Sequence, residues 1–323
     1  MGCALRMASS MCATTPLSLS SSLRTNLSSS RTSRAPLISL RVSPIFQALS
    51  FQSVRTNFKN PISASASASA RMAGQNKKIE KFETEEEVAV RLAKYTADLS
   101  AKFVKERGAF TVVLSGGSLI DALRKLAEAP YKDSVDWSKW HVFWVDERVV
   151  KRDHVDSNYK LALDGFLSKV PIPTGQVYAI NDALSAEGAA DDYETCLKHL
   201  VQRNVIATSK TTGFPKFDLM LLGMGPDGHL ASLFPGHPLV NEKNKWVTCI
   251  KDSPKPPPER ITFTFPVINS AAYNAMVVTG EGKASAVCTA LGKSQHSETL
   301  PAQLLSAEDE LTWFLDKSAA SNL

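Results

Sequence analysis

A short apolar run, a turn and then a helical pattern recur along this chain, and the repetition confines it to parallel α/β architectures more tightly than any other feature. Phe110-Thr-Val-Val-Leu114 is β-branched and apolar, runs into Ser115-Gly-Gly-Ser118, and leads to Leu119-Ile-Asp-Ala-Leu-Arg-Lys-Leu-Ala127 with helical spacing. The pattern returns at His141-Val-Phe-Trp-Val145 with a polar turn after it, at Phe217 to Leu222, and at Ala275-Met-Val-Val-Thr279 before Gly280-Glu-Gly-Lys-Ala284 and a helix to about Leu291. Parallel strands need crossover connections, and crossover helices cover the sheet. The expected fold class is therefore α/β: a Rossmann-like open, mainly parallel sheet with helices on both faces and ligands at the strands' carboxyl ends. Glu83 to Arg107 should be the first helix, with Val88, Val90, Leu92, Ala93, Tyr95, Leu99 and Phe103 near helical spacing. Ser253-Pro-Lys-Pro-Pro-Pro-Glu259 reads as a surface loop before an alternating strand, Arg260-Ile-Thr-Phe-Thr-Phe265.

The start of the chain differs in composition. No acidic residue precedes Glu80, and residues 1 to 70 hold eighteen Ser and seven Arg or Lys. Such an acid-free, Arg- and Ser-rich stretch has the composition of an organellar transit peptide, plastid rather than mitochondrial in its Leu- and Ser-rich patches. The expected organisation is a transit peptide and leader over 1–71 and one folded domain over 72–323. Met72 offers a start for a shorter, leaderless cytosolic form. Ser321-Asn-Leu323 departs by one residue from a peroxisomal Ser-Lys-Leu address.

Charge and cysteine usage narrow the function class. Ten of the 37 basic residues precede Glu80, so the remaining 27 face all 32 acidic side chains and the body is mildly acidic. That argues against nucleic acid as the main partner. No apolar run reaches the roughly 18 to 20 residues of a membrane span. Of the five cysteines only Cys196, Cys249 and Cys288 remain beyond the leader, odd in number and widely spaced, which fits a reducing compartment and structural thiols.

Gly223-Met-Gly225-Pro-Asp-Gly228 satisfies GxGxxG after an apolar run, but its context is wrong for a dinucleotide. A dinucleotide fingerprint opens a long helix and has an acidic residue about 20 positions on at a strand end. Here Pro235-Gly236 breaks the chain soon after Gly228, and the acidic residue would be Glu242, in a polar loop. The glycines read instead as a tight turn presenting Asp227 and His229 beyond a strand. An imidazole there can accept a proton with a carboxylate to orient it; equally, Asp227 can cap the turn while His229 packs.

Residues 218–236 as a whole resemble the signature segment of the 6-phosphogluconolactonases. The resemblance extends to Leu114-Ser-Gly-Gly-Ser118, Trp144-Val-Asp-Glu-Arg148, Asp156-Ser-Asn-Tyr159, Arg260-Ile-Thr262 and Gly280-Glu-Gly-Lys-Ala284, in family order across most of 80–316. It implies hydrolysis of 6-phospho-D-glucono-1,5-lactone, the second step of the oxidative pentose phosphate pathway. It further implies His229 as general base, Asp227 as its charge partner, and Asp146 and Arg148 facing the sugar ring, with Arg148 stabilising charge on the reacting carboxyl. Ser115, Gly116, Gly117 and Ser118 would supply backbone donors and hydroxyls to a phosphate, Arg260 a forked grip and Lys283 a point charge; Asn158 would line the substrate cleft, and His154 reads as a surface loop residue. Ser115 and Ser118 sit on a strand-to-helix turn but in no GxSxG elbow, so phosphate binding outweighs a nucleophilic role.

No cofactor and no metal are expected, since His141, His199, His237 and His296 lack metal-ligand spacing; the partner is a small sugar-phosphate lactone and the protein a monomer. The rival readings are a glucosamine-6-phosphate deaminase and a non-catalytic sugar-phosphate binder. The deaminases look like Asp-Glu-Tyr where this chain has Asp146-Glu-Arg148, and like Ala-Phe-Asn-Glu-Pro where it has Ala231-Ser-Leu-Phe-Pro235.

Overall fold

The computed structural model describes residues 77–292 and 299–323; the expected transit segment and His296 lie outside the described residues. In chain order the strands are β1 (Lys77–Phe82), β2 (Phe110–Leu114), β3 (Trp140–Trp144), β4 (Asp146–Arg148), β5 (Ala207–Thr208), β6 (Pro215–Lys216), β7 (Leu219–Gly223), β8 (Val247–Ile250), β9 (Arg260–Phe263), β10 (Tyr273–Val278) and β11 (Glu310–Asp316). The α-helices are α1 (Glu85–Arg107), α2 (Ser118–Ala122), α3 (Tyr131–Ser134), α4 (Asn158–Gly165), α5 (Ala186–Gln202), α6 (Phe265–Asn269) and α7 (Ala284–Ala290).

Six strands pair in parallel throughout, in the order β1-β11-β10-β7-β2-β3. Because side chains alternate across a strand, each central strand feeds two cores. Val113, Phe143, Met220, Leu222, Met276 and Trp313 enter one, with α5 and α7 packed on it. Val112, Leu114, Val142, Leu219, Leu221, Ala275 and Phe314 enter the other, covered by α1 and α2. Both faces are buried, which is why these strands read as continuous apolar runs. An antiparallel sheet, β4-β9-β8, stands beside the carboxyl end of β3.

Local chemistry sets the helix bounds. The Thr84 side chain accepts the Glu87 N–H, Glu85 to Glu87 occupy the positive first turn of α1, and Gly108 closes it at φ 74°. The helix expected over 119–127 is shorter: α2 stops at Ala122 and Arg124–Ala127 continues as a 3₁₀ turn. The strand expected to run to Phe265 ends at Phe263, because Pro266 lacks the N–H a ladder needs and fits a first helical turn, that of α6.

The strand order fixes where a ligand can sit. From β2 the chain moves outward to β3, whereas β7 pairs on the other side of β2. The connections leaving β2 and β7 therefore diverge, and a crevice opens beyond their carboxyl ends.

Candidate active site

Ten of the eleven residues singled out in the sequence line one cleft in that crevice. Ser115, Gly116, Gly117 and Ser118 follow β2; Asp146 and Arg148 lie in β4; Asn158 begins α4; His229 lies beyond β7; Arg260 begins β9; and Lys283 precedes α7. Asp227, the eleventh, stands behind His229. The imidazole Nδ1 is 2.6 Å from Asp227 Oδ1. Burial works against the Asp227 carboxylate, but hydrogen bonds and charge from His229 and Lys255 outweigh it and hold the group well below the usual range. An ionised carboxylate only accepts, so Nδ1 carries the proton and Nε2 keeps the lone pair. With Nδ1 turned to Asp227, Nε2 is the nitrogen free to serve the cleft.

Two neighbours fix the ring. Phe234 packs against it with centroids 4.7 Å apart. A Cβ on Gly225 would come within 2.1 Å of His229 Nδ1 and 2.6 Å of Asp227 Oδ1, so the second glycine of GxGxxG is what lets the pair form. Gly228 adopts φ 77°, and residues 229–234 form a turn with isolated bridges in place of the helix a dinucleotide would need.

Across the cleft, buried Asp146 accepts a hydrogen bond from Ser232 Oγ at 2.7 Å. Arg148 Nη1 donates to the Asp156 carbonyl at 2.7 Å, while its Nε is buried without a partner. Asn158, 1% exposed, gives its amide N–H to the Asp146 carbonyl and leaves Oδ1 unpaired. A Cβ on Gly116 would strike that Oδ1, so the glycine makes room for the amide. An unpaired donor and an unpaired acceptor beside one cleft suit a ligand rich in hydroxyl groups.

Glu147 holds this wall together. Its carboxylate accepts the backbone N–H groups of Arg148, Asn158 and Tyr159 and the Ser157 hydroxyl. It is 2% exposed, and burial pushes its pKa up to about 6 against those bonds. A glutamine presents one accepting oxygen instead of two, turning an NH2 group toward two donors. Glu147→Gln is therefore expected to destabilise the fold by about 2 kcal/mol or more, the unsatisfied donors outweighing the relief of a buried charge. Thermal unfolding at pH 7.5 measures it.

At the β2 end of the cleft fewer groups are open than the sequence suggests. Ser115 donates its N–H to the Leu221 carbonyl, and its Oγ accepts the Gly223 N–H, so it fastens β2 to β7. Gly116 to Ser118 remain as a turn open to the cleft, with Gly117 at φ 67°. Lys283 Nζ lies 3.4 Å from Ser118 Oγ, and burial pulls its pKa down. The forked grip expected of Arg260 is not available: Nε and Nη2 are spent on the carbonyls of Pro257, Lys255 and Pro256. Nη1, 3.5 Å from Ser232 Oγ, remains for a ligand. Among the described residues no cluster of three or more His, Cys, Asp or Glu side chains is placed to hold a metal ion.

A family model described as glucosamine-6-phosphate isomerases/6-phosphogluconolactonase matches residues 83–313. The chain belongs to this family. A rice (Oryza sativa subsp. indica) protein named probable 6-phosphogluconolactonase 4, chloroplastic, is 77% identical over 244 residues, 75% of each chain. The Arabidopsis thaliana 6-phosphogluconolactonase 3, chloroplastic, is 64% identical over 284 residues, 86% of this chain and 87% of its own. The solved structure of the Thermotoga maritima 6-phosphogluconolactonase superposes with a TM-score of 0.63 at 27% identity, covering 75% of this chain and 100% of its own.

Membership of the family was legible in the strand-end motifs, but three residues that support the cleft's lining were not singled out. Glu147 lay within a quoted motif, and only its four donors reveal its part. Phe234 followed the His229 turn as an apolar residue like any other. Lys255 lay in the proline-rich stretch read as a surface loop, yet its Nζ is 3.1 Å from Asp227 Oδ1 and 3.3 Å from His229 Nδ1.

Proposed function

We propose that this protein hydrolyses 6-phospho-D-glucono-1,5-lactone to 6-phospho-D-gluconate, with His229 as general base. The observation that carries the reading is an imidazole bound to a carboxylate through Nδ1, opening on the same cleft as the Gly116–Ser118 turn and Lys283. In the reaction a water oxygen adds to the lactone carbonyl carbon while its proton passes to Nε2. The addition leaves a tetrahedral oxyanion, which Arg148 stabilises on this reading. Collapse breaks the bond between that carbon and the ring oxygen, and the ring oxygen takes the proton back from Nε2. The carboxylic acid formed then ionises to solvent.

The phosphate anchors the substrate away from the reacting carbon, in contact with Gly116 to Ser118 and Lys283, while Asn158 and Asp146 meet the ring hydroxyls. Such binding acts alike on ground and transition states. Lys283→Met is expected to raise KM about 10- to 100-fold, the equivalent of one charge-assisted hydrogen bond, with a much smaller change in kcat. Steady-state kinetics on freshly generated lactone measures both constants.

The cleft residues named above all come from one chain, and the reading takes the protein as a monomer. The rice and Arabidopsis relatives are named chloroplastic, and with the acid-free leader they support a site of action in the plastid stroma. Leu323 packs against the core and donates its N–H to the Ala320 carbonyl, while Ser321 and Asn322 are exposed. The deciding experiment follows acid release from the lactone and ammonia release from glucosamine 6-phosphate on residues 72–323. Accelerated acid release with no ammonia is the expected result. Ammonia release would install the deaminase reading, and binding of 6-phosphogluconate without acceleration the non-catalytic one.

A further inference from the structure

We infer that Lys255 is a positioning residue for the His229–Asp227 pair, setting the charge state in which the imidazole works. The inference rests on the hydrolytic reading of the cleft and adds a third member to its base. Lys255 Nζ is 3.1 Å from Asp227 Oδ1, the same oxygen that receives His229 Nδ1 at 2.6 Å, and 3.3 Å from Nδ1 itself. The three groups therefore meet at one carboxylate oxygen.

The loop is built to hold the lysine there. Its N–H donates to Ser253 Oγ at 3.3 Å, and its carbonyl accepts from Ser253 Oγ at 2.8 Å and from Arg260 Nη2 at 2.7 Å. Arg260 is 3% exposed, and it also grips the next two carbonyls, Pro256 and Pro257. Four prolines, at 254 and 256 to 258, restrict φ through the segment. A surface lysine held only by its own side chain would lack this backbone anchoring.

The charge count gives the lysine its consequence. With a neutral ring, Lys255 and Asp227 cancel, so the base meets an anionic substrate without net repulsion. When the ring takes a proton the group becomes a net cation beside the developing oxyanion. Without Lys255 the same group would be anionic at rest and neutral after proton transfer. The other charged side chains on the cleft are Arg148, Arg260, Lys283 and Asp146, and Phe234 lies between His229 and Arg260.

The test compares wild type, Lys255→Met and Lys255→Arg in full pH–rate profiles on the lactone. Lys255→Met is expected to lose about 10- to 100-fold in kcat, the rate equivalent of one charge-assisted hydrogen bond. The acid limb should move up by about one pH unit, since a cation close to the ring is gone. Lys255→Arg should return the limb to its wild-type position. A fall in rate with an unmoved limb would reduce Lys255 to a structural part of the loop and overturn the inference, as would a Met variant equal to wild type. NMR titration of the His229 ring, assigned against His229→Gln, reads the same shift without turnover. A wild-type protein inactive on the lactone thus defeats the proposed activity separately, while the titration still decides the role of Lys255.

Discussion

Replacing His229 by alanine is expected to lower kcat/KM for the lactone by about 10² to 10⁴-fold, the contribution of a positioned general base, and to leave 6-phosphogluconate binding within a few-fold of wild type. On the proposed reading the two effects separate, because the ring would act on the water while Gly116 to Ser118 and Lys283, also on the cleft, would hold the phosphate. Asn158, Arg148 and Asp146 are fastened by Glu147, Asp156 and Ser232 without help from the ring. The comparison uses initial rates of acid release, corrected for spontaneous opening, with calorimetric titration of the product. A variant that retains the wild-type rate would move the base elsewhere in the cleft. The pH dependence has a definite sign. The Asp227 pKa is depressed, so the stability that its ionised form contributes is present above the ordinary Asp value and is lost only as pH falls toward the lower folded value. Asp227 therefore stays ionised across mildly acidic and neutral pH, so its titration should not shape the activity profile there.

The Asp227–His229 pair and the Ser115–Ser118 turn were readable in the sequence because each is local. Asp227 and His229 are two residues apart, Ser115 to Ser118 form one turn, and each follows an apolar run whose length and composition mark a buried parallel strand. Alternation at Val112-Val113-Leu114 serves two cores, so the strands were identifiable without knowing their order. What was hidden is tertiary. β1 reads Lys-Lys-Ile-Glu-Lys-Phe, an exposed edge strand with little apolar signal, and it is defined by pairing with β11 more than 220 positions later, as Lys77 with Leu311. Local propensity did not show that α2 would end at Ala122, nor that Arg260 would turn back to three loop carbonyls instead of presenting a fork. Lys255 belongs to the same class, since nothing in a proline-rich string says which side chain its prolines will deliver to a distant imidazole.

Gly225→Ala is expected to cost nearly as much activity as loss of the imidazole, about 10²-fold or more in kcat/KM, in a protein that still folds. The new Cβ would lie 2.1 Å from both Cε1 and Nδ1 of His229 and 2.6 Å from Asp227 Oδ1, closer than any real contact, so the ring and carboxylate must separate. Gly225 is not among the glycines with positive φ, and its backbone conformation accepts alanine without strain. The turn bonds, from Gly225 N–H to the His229 carbonyl and from Gly228 N–H to the Gly225 carbonyl, use main-chain atoms that the substitution leaves in place. Activity should therefore fall far more than thermal stability. Gly175→Ala, whose Cβ meets nothing within 4 Å, is the control for a glycine substitution as such and should stay near wild type in both. If Gly225 acts only by admitting the His229–Asp227 pair, the two lesions share one mechanism and cannot add. Gly225→Ala combined with His229→Ala should then be no slower than His229→Ala alone, and a clear further loss would give the glycine a second role, such as direct backbone contact with the substrate.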